Sequence, residues 1–340
     1  MRAAFYKGHH TIHIGDCTPM EPGPGQVQIR VSHCGICGTD LHIYHGNMDH
    51  RLIKHDGIIG HEMAGTVVAA GSGAGQWKPG DRVTVRPLDS CGECPACRNG
   101  HGHICMNLKF IGIDSPGAMQ ALWTVRADLL HRIPEALSFE HAALIEPLSV
   151  ACHDVRMGAL QAGEFAVVLG GGPIGILIAL VARSEGARVL LSELNPFRIE
   201  LARSFGLETV DPREVDLVEK VNALTDGSGA DIVFDVAGVP ASAEMMTKLP
   251  RVRGRMVMVA IHPKPVPVDL FRFFWRELQL VGARVYEAED FDRAIELAAS
   301  GTLPLPQLIS KVVPLDGLGG AFREMESGGE VMKILVRCSE

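Results

Sequence analysis

The chain has 340 residues, of which 46% are hydrophobic and 21% are charged, and its formal net charge is −8. This length and composition predict about two folded domains rather than a disordered chain, and the negative charge argues against general binding to nucleic acids or anionic membranes. No apolar run reaches about 18 residues and the first residues turn polar too early for a signal peptide, so we expect a cytoplasmic protein without a transmembrane helix.

The first part of the chain, up to about residue 145, contains many short apolar runs that are separated by glycine and proline turns. Short strands at this spacing predict a β-rich, barrel-like domain. The predicted strands cover Val27–Val31, Met63–Ala69, Arg82–Val85 and Ala121–Val125.

Three well-separated positions in this part carry side chains that bind metals, namely Cys37, the pair His61-Glu62, and Glu146. One thiolate, one imidazole and one or two carboxylates can form the open, mixed-ligand site typical of a catalytic zinc. Each residue also has an ordinary structural interpretation: a core thiol, a hydrogen-bonding residue at a strand end, and an acid near a helix start. The spacing alone leaves this choice open.

Four further cysteines follow the pattern Cys-x2-Cys-x2-Cys-x7-Cys, at Cys91, Cys94, Cys97 and Cys105. Four thiolates on one short, glycine-containing loop match a closed tetrahedral site, most simply a structural zinc. A redox cysteine cluster and an iron–sulfur cluster are the alternatives. In a reducing compartment, metal ligands and core residues are the expected uses of the nine cysteines.

From about residue 150, strands and helices alternate, which predicts an α/β domain with a doubly wound parallel sheet. The predicted strands are Val189–Ser192, Ile232–Asp235 and Arg255–Ala260, and the predicted helices are 176–185, 196–205, 216–224 and 241–249. A helix over Phe291–Ser300 and a strand over Val331–Val336 come after the alternation loosens, so we expect the chain to return there to its first domain.

A glycine turn opens this second part, directly after the apolar run Phe165–Leu169. Gly170 allows the tight turn, Gly172 lets the backbone approach a pyrophosphate, and Gly175 lets the next helix pack closely. Glu193, about 20 residues further on, can accept hydrogen bonds from both ribose hydroxyls of NAD and would repel the 2′-phosphate of NADP. The alternative is a Rossmann-like fold without a nucleotide.

Together these motifs resemble the zinc-dependent medium-chain alcohol dehydrogenase family across essentially the whole chain. The motifs are Cys37-Gly38-Thr39-Asp40, Gly60-His61-Glu62, Gly80-Asp81-Arg82-Val83, the four cysteines, Glu146-Pro147-Leu148-Ser149, and the glycine turn with Glu193. The run at Glu146 resembles the polyol (sorbitol), butanediol and L-threonine 3-dehydrogenase branch. The resemblance implies a GroES-like catalytic domain over residues 1–150 with a structural-zinc lobe at about 88–108, a Rossmann NAD domain over 151–287, and a return to the catalytic domain over 288–340.

The resemblance also implies roles for individual residues around a catalytic zinc. Cys37 and His61 would hold the metal, with Glu62 or Glu146 as the third ligand or in exchange with water. Asp40 would hold the far nitrogen of His61.

Thr39 and His42 would relay the substrate proton to solvent. The alternative for His42 is an ordinary surface histidine, in a stretch that also carries His45, His50 and His55.

For the cofactor, the resemblance implies a dinucleotide lying along the glycine turn and the loops that follow the later strands. The implied contacts are Gly170, Gly172, Pro173, Ile174, Gly175, Glu193 and Arg198 on the pyrophosphate, ribose and adenine side, and Val259, Ala260, Ile261, Arg284 and Val285 near the nicotinamide. Strand-end packing is the alternative for the nicotinamide set. The implied cofactors are NAD and two zinc ions per chain, one catalytic and one structural.

The implied reaction is the oxidation of a secondary alcohol of a polyol, diol or sugar derivative to a ketone, with hydride transfer to NAD. An acid that the branch usually carries near the pocket is replaced by neutral Gln120, and His45-Gly46-Asn47-Met48 lacks an expected tryptophan–acid pair. Both departures weaken the case for a cationic amino-acid substrate, and they favour an uncharged polyol or another secondary alcohol. The alternatives are an L-threonine 3-dehydrogenase, a non-catalytic zinc- and nucleotide-binding protein, and a zinc-free quinone reductase.

We also expect association, because relatives of this branch are tetramers or dimers joined through the sheet of the cofactor domain. The candidate contacts are Val257–Val259 and the apolar run Phe271–Trp275, for which burial in the core is the alternative.

Overall fold

A computed structural model of the protein describes residues 1–8, 10–47, 57–262 and 264–339. The chain divides into two compact units, the first formed by Met1–Glu146 with Glu287–Glu340 and the second by Pro147–Tyr286. Among the described helices, none is both long enough and apolar enough to cross a membrane.

The first unit is organised around a sheet of seven strands. The strands of this unit are β1 (Arg2–Tyr6), β2 (Ile12–Asp16), β3 (Gln26–Gly35), β4 (Glu62–Ala70), β5 (Arg82–Val85), β6 (Leu88–Asp89), β7 (Lys109–Phe110), β8 (Leu122–Arg126), β9 (Leu130–Arg132), β16 (Ile309–Pro314) and β17 (Lys333–Arg337). The sheet has the order β16-β17-β3-β4-β5-β9, and β8 also pairs with β3. The predicted β-rich architecture of this part is confirmed.

The helices of the first unit are between four and thirteen residues long. They are α1 (Gly38–Tyr44), α2 (Pro95–Arg98), α3 (Phe139–Ala142), α10 (Ala288–Ser300), α11 (Leu305–Leu308) and α12 (Leu318–Glu326), with 3-10 turns at Gly102–Ile104, Ala127–Leu129 and Leu315–Gly317. Helix α4 (Ile145–Met157) begins in the first unit.

The central strand β3 decides which distant residues meet in the first unit. It pairs antiparallel with β4, so that Gly35 lies opposite Glu62, and antiparallel with β17, so that Cys34 lies opposite Val336. The apolar side chains of these strands are buried in one core cluster that includes Val31, Met63 and Ile334. Strand pairing therefore brings the end of the described chain beside residues 34 to 37.

The second unit contains a six-stranded sheet in which every pair of neighbours is parallel. Its order is β12-β11-β10-β13-β14-β15, formed by β10 (Phe165–Leu169), β11 (Arg188–Ser192), β12 (Glu208–Val210), β13 (Ala230–Asp235), β14 (Pro250–Met258) and β15 (Gln279–Gly282). All five residues of β10 are buried, as expected for a strand that is covered on both faces. The predicted α/β fold is confirmed.

The helices of the second unit alternate with these strands, as in a doubly wound fold. They are α5 (Pro173–Ser184), α6 (Pro196–Ser204), α7 (Leu217–Leu224), α8 (Pro240–Met246) and α9 (Leu270–Arg276). The strand that was predicted over Arg255–Ala260 ends instead at Met258. The N–H groups of Val259 and Ala260 both donate to the carbonyl oxygen of Asp235, at 3.1 and 3.0 Å, which closes the ladder at that point.

Candidate metal centres and cofactor site

Cys37, His61 and Glu62 lie together in the first unit, with one ligand atom from each within 4.8 Å of the others. Cys37 precedes α1, and His61 and Glu62 stand at the start of β4. The pairing of Gly35 with Glu62 across β3 and β4 brings these segments into contact. A half-buried thiol, a buried imidazole and a buried carboxylate form a donor set that suits zinc. Because zinc in proteins is usually four-coordinate, three ligands leave one position for a further ligand.

The environment of His61 favours a positive charge on or beside its imidazole ring. The His61 ring is 2% exposed, and its Nδ1 lies 3.8 Å from Asp40 Oδ1, with no hydrogen-bond partner among the described residues. Burial lowers the pKa of His61, but the Asp40 carboxylate and a hydrogen bond with Cys37 outweigh it and raise that pKa well above the ordinary value. The same charges would stabilise a metal cation bound at the remaining ring nitrogen, Nε2.

Asp40 is fixed by its position in the first turn of α1. Its Oδ2 accepts a hydrogen bond from the Cys37 N–H at 2.9 Å, and its side chain is fully buried. Burial raises the pKa of Asp40 and the neighbouring His61 opposes that rise. The carboxylate thus links the backbone at one candidate ligand to the ring of another.

Glu62 has a partner that the sequence analysis missed. Lys333 Nζ lies 2.7 Å from both carboxylate oxygens of Glu62, and both side chains are buried. Gly35 makes this possible, because a β-carbon there would lie 2.1 Å from Glu62 Oε2. Burial lowers the pKa of Lys333, but Glu62 and then Cys37 raise it, and the net effect is an increase. The available signal was a lone lysine inside the predicted apolar strand Val331–Val336.

Glu146, the other candidate for the third ligand, is buried at the start of α4. Its charge contributes to raising the pKa of both His61 and Lys333. Both acidic candidates are therefore close enough to act electrostatically on the cluster, while both oxygens of Glu62 are bound to Lys333 in this structure.

Thr39 and His42 lie three residues apart on α1 and thus share one helix face. Thr39 is half-buried and His42 is exposed, an order that suits proton transfer from an enclosed site to solvent. His50 and His55 lie outside the described residues. Gln120 is buried, and its amide donates to the Gly117 carbonyl oxygen at 2.6 Å.

The four cysteines of the second cluster have the spacing of a tetrahedral metal site. The Sγ–Sγ distances are 3.5 Å for Cys94–Cys97, 3.8 Å for Cys94–Cys105 and 3.5 Å for Cys91–Cys105. A tetrahedron with Zn–S bonds of about 2.3 Å has edges of about 3.8 Å, whereas a disulfide needs about 2 Å. Backbone N–H groups of Cys97 and Met106 lower the pKa of the Cys94 thiol to about 6, whereas burial and hydrogen bonds with Cys94 and Cys105 raise the pKa of Cys97 to about 12. Without a metal the cluster therefore holds both a thiolate and thiols. The cluster therefore fits a structural zinc.

The glycine turn of the second unit is shaped for close approach. Gly170 has φ +105°, and a β-carbon at Gly175 would lie 1.8 Å from the Gly170 carbonyl oxygen. At Gly172, which caps α5, a β-carbon would meet only the Arg198 guanidinium, at 3.7 Å. Pro173 and Ile174 begin α5, so the turn leads into a helix N-terminus, whose free N–H groups are suited to bind a phosphate.

Glu193 lies beside this turn, directly after β11. One carboxylate oxygen accepts the Gly171 N–H at 2.6 Å, and the other accepts the N–H groups of Leu194 and Asn195 at 2.7 and 2.8 Å. Arg198 Nη1 lies 3.9 Å from the carboxylate. These bonds fix a negative charge at the end of β11. The oxygen that accepts two N–H groups has both lone pairs engaged, whereas the oxygen that accepts only the Gly171 N–H keeps one for a ribose hydroxyl.

The residues that the resemblance assigns to the nicotinamide lie in loops at the carboxyl ends of β14 and β15, the edge where open parallel sheets bind ligands. Val259 and Ala260 are half-buried, whereas Ile261 is 80% exposed. Val285 has φ +52°, a strained conformation for a β-branched residue. Arg284, beside it, is exposed.

Comparisons with known proteins find a family model for each of two parts of the chain. The model of the alcohol dehydrogenase GroES-like domain matches residues 23–135, and that of the zinc-binding dehydrogenase matches residues 173–300. A 2-dehydro-3-deoxy-L-galactonate 5-dehydrogenase from Pseudoalteromonas atlantica is 52% identical over 339 residues, which is 100% of this chain and 99% of the relative.

Two solved structures are similar along the whole chain. The crystal structure of 2R,3R-butanediol dehydrogenase from Bacillus subtilis is 32% identical with a TM-score of 0.91, and the alignment covers 99% of each chain. A zinc-binding dehydrogenase from Sinorhizobium meliloti, bound to NADP, is 33% identical with a TM-score of 0.92 and covers 99% of this chain and 98% of its own.

Proposed function

From the membership of this chain in the zinc-dependent medium-chain alcohol dehydrogenase family, we propose that its substrate is 2-dehydro-3-deoxy-L-galactonate, oxidised at the C5 hydroxyl. The reaction class is that of the family: a zinc-containing, NAD-dependent dehydrogenase converts a secondary alcohol of a polyol, diol or sugar derivative to a ketone by hydride transfer. The observation that carries the substrate is the 52% identity over the full length with the relative of that name.

This substrate is a sugar acid, and it differs from the uncharged polyol that the neutral side chain of Gln120 favoured. An acid at that position would repel a carboxylate, whereas the amide of Gln120 does not, so the substitution is equally compatible with an anionic substrate. The loss of the acid still disfavours threonine as a substrate, because the neutral amide of Gln120 does not attract its ammonium group.

For alcohol oxidation we assign two roles to residues of the first unit: some would hold a metal and others would move a proton. When bound, zinc supplies a Lewis acid and NAD supplies the hydride acceptor. Cys37 and His61 would hold the metal, with Glu62 or Glu146 as the third ligand, and Asp40 would orient His61. The Thr39 hydroxyl would take up the substrate proton while it releases its own towards His42, and His42 would pass that proton to solvent.

The preference for NAD over NADP is part of the proposal and depends on Glu193. Its carboxylate is fixed by three backbone N–H groups, so it cannot easily turn away from a 2′-phosphate. Replacing Glu193 with alanine removes charged hydrogen bonds worth about 1.5–3 kcal/mol, so the Kd for NAD should rise about 10- to 100-fold. Tighter binding of NADP than of NAD by the unmodified protein would contradict this assignment.

We further propose that the region of residues 1–150 with 288–340 acts as the catalytic domain, that residues 151–287 act as the NAD domain, and that the protein is cytoplasmic. Five of the nine cysteines lie in the two candidate metal clusters, which is the use of cysteine that we expect in a reducing compartment.

We also propose a homo-oligomer, a tetramer or a dimer. Helix α9, which directly precedes the edge strand β15 in the chain, exposes Leu270, Phe271, Phe274 and Trp275 by 64 to 77%. Val257, in contrast, is fully buried and belongs to the core. Sedimentation of the Phe274→Glu/Trp275→Glu variant should show a smaller species than the unmodified protein, and an unchanged mass would exclude this face.

The test of the substrate is NAD reduction by the purified, zinc-quantified protein. The panel is 2-dehydro-3-deoxy-L-galactonate, sorbitol, 2,3-butanediol and L-threonine. We expect kcat/KM for the sugar acid to exceed the others by at least about 100-fold, because a site built for its polar groups rejects analogues that lack them. A maximum with sorbitol, butanediol or threonine would keep the reaction and replace the substrate, and silence with one zinc per chain would favour a non-catalytic or zinc-free relative.

A further inference from the structure

Asp235, the last residue of β13, connects the two loops that lie at the carboxyl edge of the parallel sheet in the second unit. Its carboxylate Oδ1 accepts the N–H groups of Ala237 and Gly238, at 3.2 and 3.4 Å. Its backbone oxygen accepts those of Val259 and Ala260 in the loop after β14. The side chain is fully buried, so all of these bonds are shielded from solvent.

The other oxygen, Asp235 Oδ2, lies 3.2 Å from Nε2 of His262, which follows directly after the three loop residues assigned to the nicotinamide. Because a carboxylate only accepts, Nε2 of His262 is the donor in this bond. In the neutral ring Nδ1 is then an acceptor. That atom is buried and has no hydrogen-bond partner among the described residues.

The two loops also touch each other and the glycine turn. A β-carbon at Gly238 would lie 3.0 Å from the Ala260 β-carbon, and one at Gly170 would lie 3.1 Å from the Ala237 nitrogen. Asp235 and His262 therefore stand at the junction of the carboxyl ends of β10, β13 and β14. In an open parallel sheet, that junction is where a dinucleotide crosses from one half of its site to the other.

We propose that His262 is an additional cofactor-positioning residue. Its Nε2–H bond to Asp235 holds the loop that receives the nicotinamide, and its Nδ1 accepts a hydrogen bond from a hydroxyl or amide N–H of the nicotinamide riboside half of NAD. This inference rests on the proposed function, because it assumes that NAD binds along this edge. It assigns His262 to the nicotinamide half alone, whereas Glu193 serves the adenosine half.

The experiment compares two ligands that differ by that half. Titration calorimetry with the zinc-loaded protein measures Kd for NAD and for ADP, which lacks the nicotinamide riboside. For His262→Leu we expect Kd for NAD to rise about tenfold, which corresponds to one hydrogen bond. The Kd for ADP should stay within about twofold. In steady-state assays KM for NAD should rise with Kd, while KM for the alcohol and the zinc content stay unchanged.

Two further variants keep the test decisive. The glutamine side chain of His262→Gln can place a nitrogen where Nε2 stands and donate to Asp235, whereas the asparagine side chain of His262→Asn is too short. The glutamine variant should therefore bind NAD more tightly than the asparagine variant. This comparison tests the inference even if the leucine variant fails to fold. His13→Leu, at an exposed position of the first unit, is the matched control and should change neither Kd.

An unchanged ratio of the NAD and ADP affinities in His262→Leu, or equal NAD binding by the glutamine and asparagine variants, would overturn the inference. Failure of the unmodified protein to bind either ligand would instead refute the proposed cofactor.

Discussion

The two clusters of candidate zinc ligands in the first unit are built in opposite ways. The four-cysteine cluster takes all its ligands from residues 91 to 105, uses thiols alone, and keeps Cys91 and Cys97 half-exposed. The cluster of Cys37, His61 and Glu62 combines three ligand types, and a lysine 271 residues away in sequence is bound to its glutamate. One candidate site is formed by a single local loop, and the other depends on the tertiary structure and on balanced buried charges.

This contrast teaches why one site suits structure and the other suits catalysis. Four thiolates complete the coordination of zinc and leave no position for a substrate, so such a site stabilises a loop. The mixed cluster offers fewer firm ligands, and its glutamate is already held by Lys333. A metal there keeps an open position, which alcohol oxidation requires.

The strongest way to break the comparison is to remove the thiol of the mixed cluster. For Cys37→Ser we expect turnover to fall about 1,000-fold or more, because several kcal/mol of transition-state stabilisation depend on the metal. Zinc content should fall from two ions per chain to one, while Kd for NAD stays unchanged. Near-normal turnover would show that Cys37 is not a ligand of the catalytic metal.

A second test removes the charge balance that distinguishes the mixed cluster. Lys333→Met leaves the Glu62 carboxylate buried without its cation, so the free energy of unfolding should fall by about 3–5 kcal/mol. Denaturant unfolding of the zinc-free protein measures this. Lys311→Met is the matched control, since Lys311 is half-exposed and pairs with Glu324 at 2.8 Å at the surface; it should cost less than about 1 kcal/mol. Equal losses of unfolding free energy in the two variants would show that burial of the ion pair does not determine its contribution to stability.

Adding Glu62→Gln to Lys333→Met sharpens that result. The double variant carries no buried charge from the pair, so part of the lost stability should return. No recovery would mean that Lys333 acts through packing instead.

A third test concerns Asp40, the residue that we propose orients His61. Asp40→Asn keeps an acceptor for the Cys37 N–H but loses the negative charge near the His61 ring. We expect the affinity for the catalytic zinc to fall about 10- to 100-fold, as for other outer partners of metal ligands. Competition with a chromophoric chelator measures it, and a change confined to the four-cysteine site would refute the assignment.

The smallest effect on catalysis is expected for the other cluster. Cys97→Ser should again reduce zinc content from two ions to one and lower the midpoint of thermal unfolding, yet change turnover by less than about tenfold, because a closed site takes no part in the reaction. Together with Cys37→Ser this forms a reciprocal pair. Equal losses of turnover in the two variants would end the distinction between the sites.

The sequence predicted those features that depend on neighbouring residues. The strand Arg82–Val85 has the predicted bounds, and the four cysteines lie close together as their spacing predicts. The glycine turn lies between a strand and a helix, as expected. In each case the period, the spacing or the turn residues lie within one short stretch.

The features that were missed depend on contacts between distant segments. The bond from Lys333 to Glu62 requires both pairings of β3, and the bond from His262 to Asp235 joins the loop after β14 to the end of β13. Without a strand order, neither partner can be found by spacing. A charged residue within an apolar strand shows only that some partner exists.

The pairing of β17 with β3 sets an order in which the two sites become complete during synthesis. A ribosome makes the chain from its N-terminus, so the four-cysteine loop has all its ligands once residue 105 has left the exit tunnel. The Glu62 carboxylate can form its ion pair only after Lys333 has been synthesised, more than two hundred residues later. The nascent protein can therefore load its structural metal early, whereas the buried charge of the catalytic site is balanced only after β17 has been made.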